Sequence, residues 1–283
     1  MNYMEQDYYI KNTFSKFIEI SGEDRINFLQ GIITNDINKC TDKNNCIYSC
    51  FLSPQGKFLA DFFITNFDNY YLLEINEKFF ESFFAKLKIY KLRSRVEFKE
   101  NTNLISFVFF CKKPPPINKN IILYSDPRKD NLGDKAYIDK NSSDLEVIAQ
   151  LKELKFDLYK EKLMRNLVPN SPTDLLENKS LLLENNFQNI NAIDWDKGCY
   201  IGQEITARMK YRSLLKKKLY VLELLSGNIN PDDDIIEKDI NIGNVKSRIN
   251  NYLLCMLKIS LVENKSINKE IIKIFPATQI KFL

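Results

Sequence analysis

Lys197-Gly-Cys-Tyr-Ile-Gly-Gln-Glu204 is the stretch on which the reading of this chain turns. Gly198 and Gly202, four residues apart, permit a tight, exposed backbone, and Gly202 stands where a helix can begin. Around that turn lie a thiol (Cys199), an ammonium (Lys197), a carboxylate (Glu204) and, just upstream, the single tryptophan, Trp195. Core elements seldom carry such a mixture. A lysine two residues from Cys199 can favour its thiolate. Glu204 and Arg208 are spaced i,i+4 on the helix that follows, and the plainer reading is that they pair with each other for about 0.3–0.5 kcal/mol. That reading accounts for neither the thiol nor the glycines.

Working outward, 283 residues allow two or three compact units, and a composition 44% hydrophobic and 28% charged is that of a globular protein. A net charge of +4 is too weak to argue nucleic-acid binding by itself. The absence of histidine removes Ser-His and Cys-His dyads, His-ligated zinc and imidazole bases, leaving carboxylates, Lys, Tyr or Cys for any acid–base work. Met1-Asn-Tyr-Met-Glu-Gln-Asp7 lacks the pattern of a secretory signal, and no apolar run is long enough to span a bilayer. The expectation is a soluble, cytoplasmic protein with reduced thiols and no membrane partner. Cys40, Cys46 and Cys50 match no cluster-binding spacing and read as buried core thiols.

Lys16 to Ser21 alternates as a strand, and a helix opening at Gly22-Glu-Asp places Ile26, Leu29 and Ile33 on one face, with acidic residues in its first turn. Cys46–Ser53 and Lys57–Asn66 read as strands joined by the Pro54-Gln55-Gly56 turn, and Tyr70–Ile75 as a third. Phe79, Phe80, Phe83, Phe84 and Leu87 form a helical core stripe. Arg95–Lys99 and Asn103–Cys111 return to strand, and the proline-rich 112–120 breaks the chain. Helices follow at Ser143–Leu154 and Asp157–Leu167. Leu219–Leu225, Ile242–Ser247, Tyr252–Leu261 and Ile271–Phe275 then make a small β unit.

Lys-Gly-Cys-Tyr-x-Gly-Gln-Glu is similar to the signature of the YgfZ proteins, folate-binding relatives of the aminomethyltransferases, and it is complete at 197–204. Other islands agree in order. Gly22-Glu-Asp-Arg-Ile-Asn-Phe-Leu-Gln-Gly31 with Thr34-Asn-Asp36 resembles the family's amino-terminal element. Ser53-Pro-Gln-Gly-Lys-Phe-Leu-Ala-Asp61 resembles its hairpin, Tyr159–Pro169 its aromatic-led segment, and Gly243-Asn-Val-Lys-Ser247 a strand of its carboxy-terminal barrel. Ser213 and Leu183 depart from the usual glycine and proline.

The resemblance implies an α+β fold. An aminomethyltransferase-like folate-binding body of intertwined sheet-and-helix lobes spans 1–213, and a small β-barrel follows at 214–283. It implies tetrahydrofolate or a derivative as cofactor, with Glu204 accepting the paired N–H donors of the pterin and Gly202 and Gln203 beside it. Tyr159, close to where the family often has a tryptophan, supplies an aromatic wall for the flat ligand, or is a partly buried core tyrosine. Asn35 and Asp36 match a pair near the folate pocket, or form a helix-exit turn. Arg208, with Lys210, Arg212 and Lys216–Lys218, meets the anionic folate tail, or is a solvated basic face. Cys199, aided by Lys197, is the redox or client-contacting group.

The expected function is a folate-binding accessory factor for assembly or repair of 4Fe–4S proteins, indirectly affecting tRNA modification and holding no metal of its own. Its partners would be folate and iron–sulfur proteins or their assembly machinery, without direct nucleic-acid contact. The alternatives are a folate-dependent aminomethyltransferase, with Asp36 or Asp61 as its carboxylate, and a tRNA-binding protein using the basic segment 208–218.

Overall fold

A computed structural model of the protein describes residues 7–40, 45–113, 115, 117–118, 121–212, 214–237, 239–263, 272–274 and 278–283. Ser213 and parts of the 112–120 and 271–275 stretches lie outside the described residues. The chain makes two compact units, each gathered from three segments. Met1–Leu52, Leu59–Tyr159 and Asn191–Ile201 form the first; Ser53–Phe58, Lys160–Ile190 and Gly202–Leu283 form the second.

In chain order the first unit has β1 (Tyr8–Asn12), β2 (Ser15–Ser21), α1 (Arg25–Ile32), β3 (Cys46–Leu52), β4 (Phe58–Asn66) and β5 (Tyr70–Asn76). It continues with α2 (Glu77–Lys91), β6 (Glu97–Asn101), β7 (Leu104–Phe110), β8 (Leu123–Ser125), β9 (Asp134–Asp139), α3 (Asp144–Ile148), β10 (Lys152–Glu153) and the start of α4 (Phe156–Arg165). These strands form two five-stranded sheets, ordered β10-β1-β7-β9-β8 and β3-β4-β5-β2-β6.

Local chemistry explains most of these elements. Asn76 caps α2 by accepting the Lys78 N–H, and Phe79, Phe80, Phe83 and Leu87 bury its inner face as the stripe requires. β3 is an edge strand, yet all seven of its residues are buried. The segment after α1 covers its open edge: Ile33 bridges Phe51, Thr34 N–H donates to Cys50 O at 3.0 Å, and Asn35 Nδ2 donates to Tyr48 O at 2.9 Å.

Two expectations need correction here. α1 buries Phe28, Leu29 and Ile32, whereas Ile26 is exposed, and its first turn holds no acidic residue. Asp24 instead accepts from Arg95, through its backbone N–H at 2.8 Å and its guanidinium. The helix expected over Ser143–Leu154 ends at Ile148, because Lys152–Glu153 pairs in parallel with Tyr8–Tyr9 and satisfies the open edge of β1.

The second unit adds α5 (Ser171–Asp174), α6 (Gln203–Tyr211), β11 (Lys217–Ser226), β12 (Asp234–Glu237), β13 (Ile240–Ile249) and β14 (Tyr252–Lys258). It ends with α7 (Ile259–Glu263), β15 (Ile272–Ile274) and β16 (Thr278–Phe282). The strands make one antiparallel sheet ordered β12-β13-β14-β11-β16-β15. Bulges at Leu224/Ser226, Ile235/Ile236 and Val245/Ser247 bend it, and its outer strands β12 and β15 approach each other. Alternation is strict: Leu222, Leu253, Cys255 and Leu257 face one core, while Leu219, Val221, Leu254 and Met256 face another that includes Met164. The class is α+β with a curled carboxy-terminal sheet, as expected.

Candidate functional site

The signature crosses from the first unit to the second between Ile201 and Gly202, and each half has its own construction. In the first unit Asp194 starts the loop: its Oδ1 accepts the N–H groups of Asp196 (2.8 Å) and Lys197 (3.1 Å), and Lys39 Nζ lies 2.7 Å from Oδ2. Burial works to raise the Asp194 pKa; Lys39 and the two backbone donors outweigh it and hold the carboxyl below its ordinary range.

Lys197 turns inward. Its ammonium donates to Gln30 O at 2.9 Å, Ile33 O at 2.7 Å and Asn35 O at 2.9 Å. These carbonyls belong to the end of α1 and the residues just beyond it, where a helix leaves acceptors unpaired and where positive charge suits its dipole. Burial lowers the Lys197 pKa to about 8, with Asp36 and Asp194 opposing. Ile201 N–H donates to Gly31 O at 3.1 Å. The loop is therefore tied to the same helix end on both sides of Cys199. Between the ties, Gly198 and Cys199 are exposed, and a Cβ placed on Gly198 would meet nothing within 4 Å. Cys40, Cys46, Cys50 and Cys255 are buried, Cys111 half-buried, and Cys199 exposed. Burial pushes the Cys40 thiol up to about 12.

Asn35 and Asp36 are occupied with the fold. Asn35 Nδ2 donates to Tyr48 O and to Asn191 O (2.8 Å), while Asp36 Oδ1 accepts from Asn38 N–H and Gln30 Nε2, both at 2.9 Å. Asp36 thereby caps the start of the short 3-10 turn Ile37–Lys39. Tyr159 is 3% exposed. Its hydroxyl donates to Asp126 Oδ2 at 2.9 Å and accepts from Arg128 Nη2 at 2.8 Å. The core reading of Tyr159 thus describes its surroundings better than a solvent-facing wall. Arg128 also lies over the rings of Phe63 (4.8 Å) and Tyr48 (5.3 Å), and Tyr48 donates to Asp61 Oδ2 at 2.5 Å.

A second buried pair, Glu74–Lys135 at 2.7 Å, receives the Tyr137 hydroxyl on Glu74 at 3.1 Å. Sequence reading singled out none of Asp126, Arg128, Glu74 or Lys135. The only available hint was a charged residue inside an otherwise apolar strand pattern, as at Glu74 in Tyr71-Leu-Leu-Glu-Ile75.

In the second unit Gly202 has φ +81°, a conformation that favours glycine, and its carbonyl accepts from Thr206 Oγ1 at 3.3 Å. The Pro54-Gln55-Gly56 turn seats this helix start. Gly56 has φ +69°, and a Cβ there would lie 2.8 Å from Ile205 Cβ and 3.1 Å from Gly202 O. Gln203, the first residue of α6, is half-buried. Glu204 and Arg208 form the i,i+4 pair at 2.5 Å, with side chains 72% and 51% exposed. Of the consecutive lysines, Lys217 pairs with Glu184 (3.7 Å) and Lys218 with Glu263 (2.6 Å).

No protein-family model matches the chain. It is 30% identical over 239 residues to the "Iron-sulfur cluster assembly factor IBA57 homolog, mitochondrial" of Mycosarcoma maydis, covering 78% of this chain and 58% of that protein. The IBA57 factor of Mus musculus is 26% identical over 229 residues, covering 73% and 63%. The chain thus spans less than two thirds of these relatives' length. Among solved structures, the glycine cleavage system aminomethyltransferase T of Bartonella henselae superposes with a TM-score of 0.78 at 9% identity, over 98% of this chain and 85% of that one. The chain is homologous to the IBA57 factors and has the aminomethyltransferase fold, in keeping with the YgfZ resemblance. The relatives are named mitochondrial, which overturns the cytoplasmic placement.

Proposed function

We propose that this homologue of the IBA57 factors is an accessory protein for assembly or repair of 4Fe–4S proteins that works with bound tetrahydrofolate or a derivative. The observation that carries the reading is the complete signature at 197–204, whose thiol stands exposed on a loop tied down on either side while four other cysteines are buried. Folate fits the chemistry of the residues present. Glu204 is an accessible carboxylate whose present partner is an exposed arginine, so the paired N–H donors of a pterin can replace that partner at little cost. Gly202 and Gln203 set the carboxylate at the first turn of α6. Arg208, once displaced, is a cation for the glutamate tail. Lys197 and the Asn35-Asp36 pair serve by holding the loop, and Tyr159 by closing the Asp126–Arg128 network. Cys199 meets the client protein or its cluster, and any influence on tRNA modification follows from the clients.

The test is titration calorimetry with tetrahydrofolate on the wild type, Glu204→Ala and Cys199→Ala. Heat lost in Glu204→Ala and kept in Cys199→Ala supports the assignment; a wild type without binding heat removes folate from it. An aminomethyltransferase would instead turn over a lipoyl-linked aminomethyl donor, with Asp36 or Asp61 as the carboxylate, and a tRNA-binding protein would bind RNA with a steep salt dependence through 208–218.

A further inference from the structure

We propose that the outer corner of the first unit formed by the end of α2 and the turn after it, residues 86–95, binds the anionic phospholipid surface of a membrane. The stretch Lys86-Leu-Lys-Ile-Tyr-Lys-Leu-Arg-Ser-Arg95 carries five cations and no carboxylate. Its inner residues are spoken for: Leu87 is buried in the core, and Tyr90 packs edge-on against Phe51. Its outer residues are bare. Ile89 is 69% exposed and Leu92 85%, the most exposed of the large apolar side chains described. Neither is explained by packing: Ile89 lies in the last turn of α2, and Leu92 is the residue that ends the helix. Leu92 is held at φ +47°, ψ −114°, a conformation that a leucine rarely takes.

Cations flank this apolar pair along the chain. Lys88 and Arg93, which adjoin Ile89 and Leu92 in sequence, are exposed, with Lys88 Nζ 4.5 Å from the centroid of the Phe84 ring, and Lys91 stands between the two apolar residues. Arg95 is taken by Glu23 and Asp24. Two exposed aliphatic side chains interleaved with cations complement an anionic interface: the aliphatics enter the acyl boundary and the cations stay among the headgroup phosphates. A protein partner would have to supply an acidic-rimmed groove shaped to these knobs, whereas a bilayer needs no matching shape. No described helix is long and apolar enough to cross a membrane, so this attachment is peripheral.

The experiment is co-sedimentation of the full chain with large unilamellar vesicles of pure phosphatidylcholine and of phosphatidylcholine with about one third phosphatidylglycerol. Binding to the anionic vesicles only, weakening as salt is raised, is expected. Leu92→Gly should reduce the partition coefficient about tenfold, and Lys91→Glu with Arg93→Glu by at least as much. Leu92→Gly removes the side chain and relieves the positive φ, so its melting temperature should equal or exceed the wild type's; a loss of binding then cannot be blamed on misfolding. No sedimentation with anionic vesicles, or equal sedimentation of wild type and Leu92→Gly, overturns the proposal. If vesicles are ignored while Leu92→Gly weakens binding to a purified acidic iron–sulfur carrier protein, the corner is a protein-docking knob and the lipid assignment fails.

Discussion

Replacing Lys197 by Met tests how the signature loop is held. The substitution keeps the aliphatic stem and removes an ammonium that reaches three main-chain carbonyls at 2.7–2.9 Å. At about 1 kcal/mol for each bond, the loss approaches 3 kcal/mol, and release of a buried charge returns part of it. We therefore expect about 2–3 kcal/mol of destabilisation at neutral pH, read from urea titration of the first unit's transition. The pH dependence supplies an independent sign. The lysine pKa falls from 10.5 to about 8 on folding, so between those values the unfolded chain binds the proton that the folded chain has released. Wild-type stability must then rise from pH 8 towards 10.5, by up to about 3 kcal/mol. The neutral amine still donates two bonds, which is why shedding the proton is tolerated. Lys197→Met should lack this rise, and its Cys199 should react faster with a thiol reagent because the loop loses its side-chain tie to the end of α1 and keeps only the Asp194 and Ile201 bonds. A variant that loses under about 0.5 kcal/mol and keeps the wild-type pH slope would refute the account.

Other expectations follow from the same geometry. Gly56→Ala should cost about 1–3 kcal/mol, because its positive φ and the 2.8 Å approach to Ile205 Cβ leave no room; Gly198→Ala, facing open space, should change the urea midpoint little. Lys135→Met strands the Glu74 carboxylate and should cost about 3–5 kcal/mol, most of it recovered in Lys135→Met/Glu74→Leu. Glu74 and Asp126 are both held below their ordinary pKa, since Lys135 and Arg128 outweigh burial. The stability they contribute is complete above the ordinary carboxyl range and is lost as pH falls from that range through their depressed folded values, so acid titration of Glu74→Gln should show a shallower decline.

How far residues announce their roles depends on what they bond to. The strands β2 to β5 and the stripe of α2 are legible because alternation and 3.6-residue periodicity are properties of side chains along one element. The signature is legible because its glycines and thiol are unusual together. Lys197 is where this kind of reading stops. Its nearest reactive neighbour in sequence is Cys199, which suggests a lysine tuning a thiolate, yet its partners are carbonyls of Gln30, Ile33 and Asn35. Every residue has a carbonyl, so no residue type advertises which ones are unpaired; that is fixed by where α1 ends. The same holds for β10, two residues recruited from an expected helix because β1 had an open edge, and for Asn35, whose amide closes the edge of β3. Even Glu74 with Lys135, and Asp126 with Arg128 and Tyr159, are visible as pairs only after the sheets bring them together. The Thr34-Asn-Asp36 element and Lys197, far apart in the chain, are therefore two sides of one construction in which Asn35 supplies one of the three carbonyls that the lysine grips. A substitution in either should loosen the loop that carries Cys199, and the Lys197→Met labelling rate measures that coupling directly.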